Sequence, residues 1–284
     1  QVSTARLIEF FVNPARTLLR DELNITLDHS DGMLPIKEPM WPDYRAMRKL
    51  VEQAVSSQIG GEEKSRFQMR AKLGGMLAAG SAGDLALDTA WASAERLCRA
   101  MVKIVGDNIF ESVTAMHQVD DCTISGVLEN ITPAGQIFWS VDGATPWNLI
   151  RAWCQHLLLN ILEDSPTRCS FLIGSEEIVR FSPIDDTSEH LSVWVALYQQ
   201  GRTRPLPFFP RSALKFVEGN EASLKPAYDI WLGADYSKSR GEAEDPYFAL
   251  AFRDNIEHAL DGEFEKLAPL IFRPMVNAMK VVTA

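Results

Sequence analysis

The sequence contains no lysine between Ile104 and Leu214, a stretch that forms the centre of the chain. A lysine there could place a mobile positive charge beside reacting groups, as many catalytic sites require. Its absence excludes a lysine-dependent catalytic site built from the central stretch alone. The next question is whether the remaining residue types of this stretch still follow a catalytic pattern.

Close pairs of metal-binding residues are also missing. The cysteines are Cys98, Cys122, Cys154 and Cys169, and none has a near neighbour of the kind that zinc or iron–sulfur sites use. This pattern predicts four reduced thiols in a cytoplasmic protein, with no bound metal or other cofactor. The histidines show no ligand spacing either, and we expect His156, beside an apolar stripe, to be packed and hydrogen-bonded.

Long apolar runs are absent as well. No segment approaches the roughly 20 apolar residues of a membrane helix, which predicts a soluble chain without membrane contact. The first residue is Gln1 rather than Met, which hints at a fragment of a longer protein. A net charge of −10 argues against a protein that coats nucleic acid, although it leaves room for a local basic groove.

The centre of the chain predicts a β-hairpin. Residues 122–131 and 136–142 are β-rich, and a turn with Pro133 and Gly135 separates them. Alternation along the second run places Ile137, Trp139 and Val141 on one face of the sheet. The same rule places Phe138, Ser140 and Asp142 on the opposite face.

Helices are predicted on both sides of further short strands. Thr145 and Pro146 suit the start of a helix whose apolar stripe, from Trp147 to Ile161, should lie against the sheet. Residues 169–174 and 177–181 predict two more strands, and residues 186–189 resemble a capping box that opens another helix. We predict an α/β or α+β fold in which helices cover a mixed sheet.

The order strand, strand, helix is also the frame of metal-dependent DNA nucleases. Such enzymes hold Mg²⁺ with an acid on the first strand and with an acid, followed two residues later by a lysine, on the second. Glu129, three residues after Gly126, is the best candidate for the first acid. Trp139 and Val141 stand where the second acid and the lysine are expected, so the frame predicts no catalytic residues.

Residues 201–211 are basic, aromatic and rich in proline. Arg202, Arg204 and Arg211 could contact phosphates, and Phe208 could stack on a base. The same composition also fits a connection whose phenylalanines are anchored in the core. Both interpretations are open at this point.

The chain resembles the C-terminal domain of the RecC family, the gamma chain of exodeoxyribonuclease V. The segments that carry the likeness occur in the same order along the whole chain. They are residues 7–16, 35–40, 126–128, 205–210, 241–253 and 267–273.

The resemblance implies a restriction-endonuclease-like fold that lacks the active residues. Helical patterns along both ends of the chain predict a helical N-terminal extension, residues 1–79, packed on a degenerate nuclease-like domain, residues 80–284, whose C-terminal part is also helical. Within the family the domain works in a complex with RecB and RecD subunits and DNA, in recombination and repair. The implied role is a non-catalytic scaffold that guides DNA and is not an enzyme by itself.

Two alternatives remain open from the sequence. The chain could be an active, divergent Mg²⁺-dependent nuclease whose lysine comes from another element. It could also be an interaction domain that contacts only proteins and never DNA.

Overall fold

The computed structural model of the chain describes residues 1–27, 40–75, 77–78, 80–106, 108–233, 240–260 and 262–283. The strands are β1 (Val2–Ser3), β2 (Glu111–Val119), β3 (Cys122–Thr132), β4 (Gly135–Trp139), β5 (Ser170–Ile173), β6 (Glu177–Phe181) and β7 (Met279–Thr283). The helices are α1 (Thr4–Val12), α2 (Pro14–Arg16), α3 (Tyr44–Ile59), α4 (Lys64–Leu73), α5 (Ser81–Val105), α6 (Pro146–Ile161), α7 (Thr187–Gly201), α8 (Pro210–Glu218), α9 (Lys225–Leu232), α10 (Pro246–Ala251) and α11 (Glu263–Ala278). Of the segments that carry the family likeness, residues 35–39 lie outside the described residues.

The strands form one mixed sheet in the order β1-β3-β4-β5-β6-β7, and β2 pairs with β3. The pairs β1–β3 and β4–β5 are parallel, whereas the other pairs are antiparallel. Helices flank this sheet, so the predicted mixed sheet covered by helices is confirmed. The restriction-endonuclease-like detail stays a prediction.

The central hairpin is confirmed with one changed boundary. Strands β3 and β4 pair antiparallel through Ile131 with Gln136 and Thr132 with Gly135. The second strand ends at Trp139 rather than Asp142 because the backbone turns there, with the Gly143 amide donating to the Ser140 carbonyl at 3.2 Å. Gly143 has a φ of +66°, which glycine adopts at little cost.

Helix α6 begins as predicted. The Thr145 hydroxyl accepts from the Asn148 amide at 3.4 Å, and Pro146 occupies the first helical position. Most of the stripe is buried, but Trp147 is 43% exposed, so its predicted place against the sheet is wrong. A residue in the first turn can project beyond the sheet edge, and helical periodicity does not register this.

Helix α7 begins at Thr187 without the predicted capping box. The Asp186 side chain accepts no capping hydrogen bond, and its backbone, at φ −85° and ψ 32°, is not extended. An N-cap residue needs an extended backbone to aim its side chain at the helix amides, so this prediction is wrong. The apolar side chains of Leu191, Trp194, Val195 and Tyr198 on this helix are buried.

Each face of the sheet packs on its own core. The first core lies under α1, α6, α7, α8 and α11, and the second core lies under α3, α4 and α5. Alternation along β4 assigns Phe138 to the first core and Ile137, Trp139 and Val141 to the second. The predicted facing of these side chains is therefore confirmed.

The N-terminal residues contribute to both cores. Strand β1 joins the sheet beside β3, and α1 places Phe10 and Phe11 in the first core. Helices α3 and α4 pack in the second core with α5, which begins at Ser81. The division at residue 79 stays a prediction, and the structure places helices from both sides of it in one core.

The C-terminal part departs from the expected all-helical structure because it ends in β7, which pairs antiparallel with β6. The run from Lys280 to Thr283 includes two valines and a threonine, residue types that favour strands. None of the helices in the described part of the chain is long and apolar enough to cross a membrane.

Candidate functional site

Gly126 is required by close packing within the sheet. The Thr4 hydroxyl, at the start of α1, donates to the Ser125 carbonyl at 3.1 Å. A Cβ atom on Gly126 would lie 2.2 Å from this same hydroxyl oxygen, far inside normal contact. The glycine therefore allows the N-terminal helix to approach β3, and this close packing explains why a glycine stands at position 126.

Glu129 lies on β3 with an exposed side chain. Its backbone carbonyl accepts from the Gln136 side-chain amide at 3.2 Å. The carboxylate forms no ion pair with a lysine or arginine of the described residues. Across the described ranges, no group of three or more His, Cys, Asp and Glu side chains is arranged to hold a metal ion, and Glu129 belongs to no such group.

Trp139 and Val141 pack against the second core. Both are partly buried, and they lie on the same face as the fully buried Ile137. The helical layer of α3, α4 and α5 covers this face. Apolar contacts thus occupy the positions where the sequence frame would place an acid and a lysine.

The end of β4 is also tied to helix α3 by polar contacts. The Asp142 carboxylate accepts from Arg48 Nη1 at 3.0 Å and from the Tyr44 hydroxyl. The hydrogen bond to Asp142 raises the pKa of Tyr44 above its ordinary value. The Asp142 carboxylate is therefore engaged by α3.

A small pocket of about 200 Å³ remains at this end of the strand. Its polar lining consists of arginine, amide and hydroxyl groups beside one carboxylate, that of Glu52. Asn148 on α6 donates to the Ser140 hydroxyl and to the Gly143 carbonyl, both at 2.8 Å. The lining side chains include Arg48, Glu52, Asn130, Trp139, Ser140, Asn148 and Arg151.

Two of the three arginines of the basic loop, Arg202 and Arg204, are held in ion pairs. Arg202 is paired with Glu22 at 2.6 Å, and Arg204 is paired with Glu263 at 2.9 Å. Hydrogen bonds from these arginines lower the pKa of each carboxyl. The Arg202 and Arg204 side chains are 46% and 41% exposed, so both pairs lie at the surface.

The phenylalanines of the loop are anchored in the first core. Phe208 is 1% exposed and its ring lies 5.6 Å from that of Phe272. Phe209 is fully buried, with its ring centre 4.0 Å from that of Trp231. The structure therefore favours the anchoring interpretation for Phe208, because its ring is not exposed for stacking on a base.

Arg211 points to a different region of the surface. It lines a cleft of about 710 Å³ together with Arg16, Arg45 and Arg240. The Nη1 atom of Arg211 donates to the Arg240 carbonyl at 3.0 Å. Sequence analysis missed the other three arginines because they come from separate parts of the chain, and no local pattern joins them.

His156 is buried on α6, as predicted. Nε2 donates to the Ser182 carbonyl at 3.0 Å, and Nδ1 accepts from the Ser170 hydroxyl at 2.9 Å. This tautomer follows because a carbonyl can only accept. Burial lowers the pKa of His156 to about 4, so the ring is neutral at neutral pH and joins α6 to the sheet.

Comparison with known protein families assigns this mixed α/β chain to a class of DNA-processing subunit domains. Residues 1–221 match the RecC C-terminal domain family, and the chain belongs to that family. The chain is similar to the RecBCD enzyme subunit RecC of Buchnera aphidicola subsp. Schizaphis graminum (strain Sg), with 24% identity over 269 residues. The match covers 87% of the chain and 24% of the relative, so the chain spans about a quarter of that protein's length.

Proposed function

We propose that this chain is a non-catalytic scaffold and DNA-guiding domain of a RecBCD-type helicase–nuclease, exodeoxyribonuclease V, in double-strand break repair and recombination. Its membership of the RecC C-terminal domain family supports this assignment. The partners in the proposal are RecB-like and RecD-like subunits and the DNA held by the complex, in the cytoplasm. ATP-dependent helicase and nuclease activity belongs to the other subunits.

The packing of Trp139 and Val141 is the observation that carries the non-catalytic part of the proposal. A Mg²⁺ site needs several oxygen ligands that converge on one point. At the end of β4 the second core presents an indole and an isopropyl group instead, under the helical layer. We infer that Gly126, Glu129, Trp139 and Val141 are degenerate counterparts of nuclease positions.

The DNA-guiding part of the proposal rests on surface arginines. Arg202 and Arg204 are held in exposed ion pairs, which contribute little stability and can exchange a carboxylate for a phosphate. Arg211 faces the cleft rather than a carboxylate side chain, with one donor on the Arg240 carbonyl. We propose all three as DNA contacts, with Phe208 supporting the loop from the core.

A nuclease assay tests the non-catalytic claim. The purified chain is incubated with linear DNA and either Mg²⁺ or Mn²⁺, and we expect no cleavage above that of the buffer. Glu129→Ala is compared with Glu176→Ala, a matched change at another exposed glutamate. Cleavage that disappears with Glu129→Ala but persists with Glu176→Ala would sink the claim and favour the active, divergent nuclease.

A second candidate function is an interaction domain that contacts only proteins. The net charge of −10 and the existing ion pairs of Arg202 and Arg204 favour it. The double change Arg202→Glu and Arg204→Glu distinguishes the two candidates in a complex assembled with RecB-like and RecD-like subunits. A DNA-guiding domain loses strand affinity with this change, whereas unchanged affinity in an intact complex indicates protein-only contacts.

A further inference from the structure

Five separate parts of the chain meet at the cleft of about 710 Å³, which we call the arginine cleft. The end of α1 and α2 supply Asn13 and Arg16, the first turn of α6 supplies Trp147, and the start of α8 supplies Arg211. The lining residues are Val12, Asn13, Arg16, Arg45, Trp147, Arg211, Arg240, Gly241, Glu242, Glu244, Asp245, Pro246 and Phe248. Four arginines therefore face one cavity in a chain whose net charge is −10.

Three guanidinium groups of the arginine cleft, those of Arg16, Arg211 and Arg240, have donors without a partner among the described residues. Those of Arg16 and Arg240 make no hydrogen bond or ion pair with any residue in the described ranges. Arg211 donates from Nη1 to a backbone carbonyl, at 3.0 Å, and a guanidinium carries five N–H donors. These groups can therefore take an anionic ligand without first breaking an internal ion pair.

The carboxylates of the cleft are occupied by backbone amides. Glu242 accepts from two amides at the start of α8, at 3.0 and 2.8 Å, and from the Ser212 hydroxyl at 2.8 Å. Asp245 caps α10 through amides at 3.0 and 3.2 Å. Glu244 accepts from the Gly241 amide at 2.9 Å. Each of these carboxylates is thus engaged by the protein through at least one oxygen, and the lining holds four arginines against three acids.

Trp147 adds an aromatic surface beside these charges. It is 43% exposed, whereas Trp153, Trp194 and Trp231 are at most 2% exposed. Its ring has no aromatic partner, and its indole N–H has no hydrogen bond, among the described residues. An exposed indole beside the guanidinium groups of Arg16, Arg211 and Arg240 is a combination that proteins use to bind single-stranded nucleic acid.

The indole also indicates which anionic ligand fits the cleft. In duplex DNA the faces of the bases are covered by their neighbours, so a protein ring can stack only on an unpaired base. An acidic peptide would use the arginines but would leave the indole without a role. The combined lining therefore favours a single strand over a duplex or an acidic peptide.

We propose that the arginine cleft binds single-stranded DNA, with an unpaired base stacked on Trp147 and the adjoining phosphates bound by Arg16, Arg211 and Arg240. The proposal rests on the DNA-guiding function above and names the strand and the residues. No metal ion takes part in this binding. The site uses the charge and the ring surface of the chain itself.

Fluorescence anisotropy of a labelled oligothymidylate, about 16 nucleotides long, measures the binding to the whole chain in EDTA. A labelled duplex of two fully complementary strands, without loop or overhang, is measured in parallel. We expect Trp147→Ala to weaken single-strand binding by about 5- to 150-fold, the range given by the loss of one stacked base. The effect on duplex binding should be within about twofold, because the duplex offers no unpaired base face.

The double change Arg16→Glu and Arg240→Glu should weaken single-strand binding at least about tenfold. It should also reduce the dependence of log K on log salt by about 1.4, since each lost phosphate contact contributes about 0.7. Phe110→Ala, at an exposed aromatic outside the cleft, and the pair Arg66→Glu and Arg99→Glu are matched controls. Trp147→Phe retains a ring and should restore most of the affinity.

Several results would overturn the proposal. One is single-strand affinity that survives Trp147→Ala in a folded variant. Another is a loss of affinity in this variant that is equal for single strand and duplex. A third is competition by polyglutamate that Trp147→Ala leaves unchanged. The last result would identify an acidic protein segment as the ligand. Each leaves subunit assembly untouched, so the failure of this inference is distinguishable from the failure of the scaffold function.

Ultraviolet cross-linking of an oligonucleotide that carries 5-iododeoxyuridine gives a second measurement without any substitution. The wild-type chain is digested after irradiation, and the cross-linked peptide is identified by mass spectrometry. We expect the cross-link at Trp147. A cross-link confined to peptides outside the arginine cleft contradicts the proposal even if every variant fails to fold.

Discussion

The two faces of the sheet are covered by helices of different composition. The first core is rich in aromatic rings, among them Phe209, Trp231 and Phe248, which contact one another. The second core consists mostly of aliphatic and alanine side chains from α3 and α5, with Phe67 and Trp91. The difference indicates that the first face supplies most of the packing energy, whereas the second face covers the strand end at which we propose degenerate nuclease positions.

The largest expected effect is on the aromatic face. Phe209→Ala removes a fully buried ring from contact with Trp231 and should lower the free energy of unfolding by about 3–5 kcal/mol. Urea unfolding followed by circular dichroism measures this loss. Phe110→Ala, at a side chain that is 39% exposed, is the control and should change stability by less than about 1 kcal/mol. Equal losses of unfolding free energy for the two changes would show that the aromatic core stabilises the fold no more than an exposed ring does.

A smaller effect is expected on the face that covers the strand end. The double change Trp139→Asp and Val141→Lys restores the acid-and-lysine pattern, but it inserts charges against the second core. We expect a loss of about 2–4 kcal/mol and no cleavage of DNA. Hydrogen exchange should show faster exchange in α3 and α5 than in α6.

Trp139→Phe and Val141→Ile, which keep the apolar surface, are the controls for that double change. Both should leave exchange in α3 nearly unaltered. Metal-dependent cleavage by the double variant would show that the helical layer does not prevent catalysis. The second face would then not differ from the first by blocking chemistry at the strand end, although the packing of its helices indicates that it does.

The smallest expected effect concerns pH and the aromatic face. Burial raises the pKa of Glu242, whose carboxyl group accepts from two amides at the start of α8, above its ordinary value of 4.5. A raised pKa in the folded state contributes stability that is complete below the ordinary value and is lost as the pH rises through the folded value. The wild-type chain should therefore lose stability relative to Glu242→Gln as the pH rises above 4.5.

Melting temperatures of the two chains between about pH 4 and about pH 8 measure this difference. Glutamine also changes the hydrogen bonds to α8, but the resulting change in melting temperature does not depend on pH. Glu129→Gln, at an exposed side chain, is the control and should run parallel to the wild type. A difference between wild type and Glu242→Gln that stays constant with pH contradicts the prediction.

Local sequence patterns predict much of the fold. The hairpin and the facing of Ile137 and Phe138 follow from alternation, which depends only on neighbouring residues. The start of α6 follows from Thr145 and Pro146, which act within one turn. Strand β2 was missed, because its pairing with β3 is a tertiary property and its exposed side chains give no clear alternating pattern.

The sites were harder to predict than the strands. The Arg202 to Arg211 loop was recognised as basic, but the ion pairs to Glu22 and Glu263 join residues that are far apart in sequence. The arginine cleft depends on the same kind of long-range approach, and Trp147 looked like one more residue of an apolar stripe. Composition identifies such side chains, whereas only the fold decides which of them face solvent together.

The helical layer over β4 has a consequence for evolution. Trp139→Asp alone would place an unpaired carboxylate beside Ile137, and Val141→Lys alone would place an unpaired ammonium group there. Neither intermediate gains a metal site, and each weakens the attachment of α3 and α5. In the proposed non-catalytic domain, a stepwise gain of metal-dependent chemistry would pass through less stable proteins, so selection for a stable fold opposes that gain.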